Sequence, residues 1–215
     1  VEQPVQTPKP PPGPAKPQRH SSPALARPAT PIVGVSPLVG RERELAEARA
    51  LLDRARLVTI VGPGGIGKTR LSLQIAADVL DAYPDGVWFI EFASIVDAGL
   101  VPKAIAQVLG LQEDANTPVV QALRAHVASR RLLLVLDNCE HLVDACAIVA
   151  DALLRAAPDV RVLASSREAL NVGGEQTYPL PPLALPEPET SAADAARSDA
   201  GRLFVERARL RQPTF

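Results

Sequence analysis

Apolar residues along this chain fall into two kinds of pattern, and the two alternate. Over 41–55, Leu45, Ala48, Leu51, Leu52 and Ala55 recur three and four positions apart, which predicts a helix with one buried stripe. Positions 57–61 are apolar but for Thr59 and do not alternate, as in a strand covered on both faces. A glycine-rich turn then leads into a helix expected over 68–80, and 86–92 (GVWFIEF) reads as a second strand. Helices are expected over 101–109 and 119–129, and a third strand over 132–137. Leu142, Cys146, Val149 and Leu153 return to helical spacing, and 160–165 and 176–180 give strands four and five. Strands alternating with helices predict an α/β domain, a parallel sheet with helices on both faces.

The flanks differ. Residues 1–36 are dense in proline, including Pro10, Pro11 and Pro12, and show no hydrophobic period. Such a stretch cannot bury enough apolar surface to offset ordering entropy, and its prolines favour an extended polyproline conformation. It is expected to be a disordered interdomain linker, with the α/β domain over 37–190. Proline returns over 179–188. A last helix is expected to start near Ser191, where Ser191 and Asp194 can form a capping box, and to turn Leu203, Phe204 and Ala208 inward. The chain starts at Val1 and contains no methionine, so it is expected to be a piece of a longer protein, with further domains on both sides.

Composition narrows the function. A net charge of −1 argues against broad nucleic-acid or membrane binding by this segment. No apolar run reaches bilayer length and no signal-peptide pattern appears, so the expected location is the cytoplasm. Cys139 and Cys146 are expected to be free thiols, and no metal-ligand spacing surrounds them or His20, His126 and His141. Trp88 is expected in the core, and His141 at the start or cap of the helix that follows it.

The chemistry sits in two places. Gly62-Pro63-Gly64-Gly65-Ile66-Gly67-Lys68-Thr69 fits glycine, four residues, then Gly-Lys-Ser/Thr, placed between a strand and a helix. Phosphates are large anions, and backbone N–H groups surround them only if the loop wraps closely, which glycine permits. The helix N-terminus adds its positive end, Lys68 would reach the β and γ phosphates, and the Thr69 hydroxyl would bind Mg²⁺. The second place is Asp137, which puts a carboxylate at the carboxyl end of a buried strand, where open α/β sheets bind ligands. Asp137 is therefore the second Mg²⁺ residue expected, acting through water. For hydrolysis, Glu140 could deprotonate the attacking water, or Asn138 could orient it. Arg167, just past strand four, could sense the γ-phosphate by paired hydrogen bonds, or cap a surface turn.

Taken with Leu38-Val39-Gly40-Arg41-Glu42, LLLVLDNCEH (132–141), LASSREAL (163–170) and LPPL (180–183), these motifs resemble the STAND class of P-loop NTPases. They are most similar to the NB-ARC-like ATPase domains of large bacterial regulators of the SARP and LuxR-like types. The resemblance implies the strand order 5-1-4-3-2, with strand four bringing Arg167 beside the γ-phosphate. It implies that Val39, Gly40 and Arg41 pack near adenine, and that 191–215 begin a helical lid whose Gly-Leu-Pro-Leu motif has no counterpart before Phe215. It further implies an ATP/ADP switch with slow hydrolysis, a nucleotide-dependent homo-oligomer, and DNA contacted only through domains outside this segment. A high-turnover kinase or motor ATPase, and a binding module without hydrolysis, are the alternatives.

Overall fold

The computed structural model describes residues 38–112 and 114–212. The stretch predicted as a linker lies outside the described residues. Five parallel strands form one sheet: β1 (Leu57–Val61), β2 (Val87–Glu91), β3 (Leu133–Asp137), β4 (Arg161–Ser166) and β5 (Glu175–Pro179). Their order is β2-β3-β4-β1-β5, which read from the other edge is the expected 5-1-4-3-2. Helices α1 (Glu42–Arg54), α2 (Lys68–Asp78), α3 (Val101–Val108), α4 (Val119–Val127), α5 (Val143–Ala156), α6 (Ala192–Ala195) and α7 (Asp199–Arg211) complete the described elements, with short 3₁₀ turns between some of them.

Alternate residues of each central strand serve opposite faces, as the pleat requires. Val58, Ile60, Val135 and Leu163 meet α1 and α2 through Ala48, Leu52, Leu71 and Ile75. Leu57, Leu134, Leu136 and Val162 meet α3, α4 and α5 through Ile105, Leu123, Val149 and Leu153. This double burial explains why 57–61, Thr59 aside, and 133–136 read as apolar runs. Trp88 is in the core as expected, its indole N–H donating to the Asp85 carbonyl at 3.1 Å. Both cysteines are free and buried, and the Cys139 thiol is pushed well up, first by its hydrogen bond with Cys146 and then by burial.

The C-terminal part differs from expectation. The single helix is two, because the chain offers two caps. Ser191 Oγ accepts from the Asp194 N–H at 3.2 Å, while the Asp194 carboxylate takes the Ser191 hydroxyl, so half of a capping box forms. Ser198 then starts α7, accepting from the Gly201 N–H at 3.0 Å. No residue of α7 is fully buried, and Phe204, expected to point inward, is 65% exposed. Leu203 and Ala208 are half-buried. Among the described residues no helix is long and apolar enough to cross a membrane.

Candidate functional site

Three strand ends meet at the carboxyl end of the sheet. β1 runs out into Gly62, β3 ends at Asp137 and β4 between them ends at Ser166. Gly65 and Gly67 take φ of +76° and +101°, and a Cβ on either would meet no atom within 4 Å. Backbone conformation, not crowding, therefore demands glycine there. The turn at Gly67 starts α2, whose first intrahelical amide is Leu71, bonded to Gly67 O at 3.0 Å. The N–H groups before it face the loop without intrahelical acceptors, which makes the position suited to an anion.

Lys68 is 7% exposed and curls back over the loop, its Nζ donating to Gly62 O at 2.9 Å and Pro63 O at 3.1 Å. Thr69 Oγ1 donates to the two Asp137 carboxylate oxygens at 3.0 and 2.9 Å. Asp137 is 1% exposed and is also held by the Ser165 hydroxyl. Ser165 Oγ accepts in turn from the Asn138 N–H at 3.1 Å, and Asn138 bends the chain away with φ of +63°, a conformation that asparagine tolerates better than most residues. Ser165 was not among the expected site residues, although a hydroxyl at the end of strand four, beside strand three, was the signal for it.

Arg167 and Glu140 come together over this cleft. Arg167 Nε lies 3.4 Å from Glu140 Oε1. Its Nη2 is 3.6 Å from where a Gly64 Cβ would stand, so the guanidinium overhangs the loop. The other Glu140 oxygen, Oε2, is buried with no hydrogen-bond partner. His141 does not cap α5, contrary to expectation. The residue before α5 is Leu142, with no side-chain cap, and His141 Nε2 instead meets Phe92 O at 3.1 Å and Ile95 O at 2.8 Å. Two carbonyl acceptors require a proton on that nitrogen. The loop after β2 is thereby tied to the turn that carries Glu140.

Val39, Gly40 and Arg41 close the other side. Arg41 is buried, pairs with Glu44 at 3.0 Å and donates to Ile66 O at 3.3 Å, which joins this segment to the loop. Val39 borders a cavity of about 620 Å³ shared with Arg202 and Val205 of α7. Gly40 has φ of +67°, and a Cβ there would fall 2.4 Å from Asp199 Cβ. Gly40→Ala is expected to cost at least about 1–2 kcal/mol from left-handed backbone strain alone, read as a lower urea midpoint. An unchanged midpoint would mean the segment repacks freely.

The donor set suits a magnesium ion. Asp137 and Thr69 offer hard oxygens that already face each other, and no cluster of three or more His, Cys, Asp or Glu ligands occurs among the described residues. One carboxylate, one hydroxyl, water and phosphate oxygens are what Mg²⁺ usually accepts.

Comparison with known proteins agrees with this layout. The model of the NB-ARC domain matches residues 43–169. An uncharacterized protein of Mycobacterium tuberculosis is 40% identical over 177 residues, 82% of this chain and 42% of that protein. A second protein of that organism, placed by its name among HTH-type transcriptional regulators, is 40% identical over 167 residues, 78% of this chain and 18% of its own length. The chain thus spans less than half of either relative. Among solved structures, a signal transduction ATPase with numerous domains and a tetratricopeptide-repeat sensor, from Pyrococcus horikoshii, superposes with a TM-score of 0.52 at 20% identity, covering 81% of this chain and 27% of that one. Its likeness is one of fold.

Proposed function

The chain belongs to the NB-ARC domain family, a nucleotide-binding module of the P-loop ATPase fold, and from that premise we propose that it works as an ATP/ADP switch with slow, Mg²⁺-dependent hydrolysis. The observation that carries the reading is one shared cleft. Thr69 at the head of α2 meets Asp137 at 2.9–3.0 Å, Lys68 beside it bends over the loop to Gly62 O and Pro63 O, and Arg167 overhangs the same loop. Gly62 to Thr69 would wrap the β and γ phosphates with backbone N–H groups and Lys68. Thr69 and Asp137 would hold Mg²⁺, which would supply positive charge to offset that of the phosphates. Arg167 would meet the terminal phosphate, Glu140 would take a proton from the attacking water, and Val39, Gly40 and Arg41 would lie against the base.

A switch needs two forms whose affinity for the terminal phosphate differs, or nucleotide would shift nothing. The relative named as a transcriptional regulator supports placing this module in a multidomain cytoplasmic regulator. There it would touch DNA only through other domains and self-associate when ATP is bound. Phosphate release by the purified chain with ATP and Mg²⁺ tests the rate. Turnover well below the roughly 1–100 s⁻¹ of kinases is expected. A rate inside that range points instead to a high-turnover enzyme, and no release with intact binding points to a module that only holds nucleotide.

A further inference from the structure

Glu140 and Arg167 have separate tasks in hydrolysis, yet they are partners in the structure. The guanidinium lies 3.4 Å from Glu140 Oε1 and at the same time stands over Gly64 of the phosphate loop. Glu140 is 17% exposed, and Arg167 is 67% exposed. The inner partner is therefore fixed and the outer one is free to swing. Arginine presents several N–H donors in a planar fork and binds carboxylate and phosphate with the same geometry. Two anions would thus compete for one guanidinium.

We propose that Glu140 is the residue that sets the preference between a nucleoside triphosphate and a diphosphate, by holding Arg167 until a terminal phosphate takes it. The proposal rests on the phosphate-loop reading. A diphosphate fills the loop without reaching Arg167, so the ion pair persists and Glu140 remains occupied. A triphosphate brings a charged terminal group under the guanidinium, and Arg167 exchanges its carboxylate for that phosphate. Glu140 is then left as an unpaired carboxylate, with Oε1, the oxygen that Arg167 releases, free to accept a water proton. Separating the pair weakens triphosphate binding but not diphosphate binding. The same exchange makes the base available only when there is a phosphate to hydrolyse. His141 keeps the turn in place through Phe92 O and Ile95 O, so the carboxylate does not follow the arginine.

The test is a double-mutant cycle on the purified chain. Calorimetric affinities for ADP and for a non-hydrolysable ATP analogue, both with Mg²⁺, are measured for the wild type, Glu140→Gln, Arg167→Ala and the double variant. For a pair with one partner mostly exposed, Glu140→Gln is expected to tighten the analogue about 2–5-fold and leave ADP unchanged. The gain should shrink at high salt and vanish in the Arg167→Ala background. The latch is overturned if Glu140→Gln leaves the ratio of the two affinities unchanged. It is equally overturned if the gain survives without Arg167, which would reduce it to plain repulsion between Glu140 and the phosphate. A wild-type chain that binds neither nucleotide removes the underlying reading instead, an outcome distinct from both. Arg167 is exposed and Glu140→Gln nearly isosteric, so folding is retained, and a matching urea midpoint confirms it.

Discussion

Lys68→Ala is expected to weaken ATP binding tenfold or more while leaving the fold intact. The ammonium is held at the mouth of the loop by Gly62 O and Pro63 O, and would turn to the phosphates when these arrive. Hydrogen bonds to charged groups contribute about 1.5–3 kcal/mol each, and about 1.4 kcal/mol is a factor of ten. One lost contact therefore gives roughly tenfold, and two give more. In the free chain the substitution strips partners only from carbonyls of half-buried Gly62 and exposed Pro63, which water can serve. The unfolding free energy should stay within about 1 kcal/mol. Calorimetric titration of ATP alongside urea unfolding checks both halves. Unchanged affinity would remove Lys68 from the phosphate site.

A comparable loss is expected in rate for Asp137→Asn. The carboxylate is 1% exposed and held by Thr69 and Ser165, whose hydroxyls can rotate to serve an amide oxygen or nitrogen. The shape of the site survives and the negative charge does not. A metal ion contributes several kcal/mol of transition-state charge stabilisation, and each 1.36 kcal/mol is tenfold in rate. Phosphate release should fall about 100-fold or further, and half-saturation by Mg²⁺ should move to higher concentration. Nucleotide binding without metal should change little. Wild-type turnover with an unchanged Mg²⁺ midpoint would show that Asp137 serves only to hold the end of β3.

Much of this layout was legible in the chain because local physics and global fold agree there. The buried runs at 57–61 and 133–137 are strands whose faces are both covered, so their pattern had one reading. The proximity of Thr69 and Asp137, 68 positions apart, followed once the loop after β1 and the end of β3 were placed at the carboxyl end of one sheet. The strand order came from family likeness rather than from periodicity, which is silent about which strands neighbour. What stayed hidden depends on contacts that no local pattern encodes. His141 sits where a helix cap is natural, but the loop after β2 offers it two carbonyls. Ser165 looks like any strand residue until β3 lies beside β4. Glu140 and Arg167 each suggested a task alone, and only the fold makes them a pair. At the C-terminus one helical stripe became two helices, because Ser198 caps as well as Ser191 does and α7 lies on Gly40 rather than in a core.

The switch depends on where nucleotide sits. Amide hydrogen exchange of the chain with and without ATP and Mg²⁺ locates it directly. Protection concentrated on 62–70 and on the turn after Asp137 is the predicted result. Saturable binding that protects other segments and leaves 62–70 exchanging as before would contradict it.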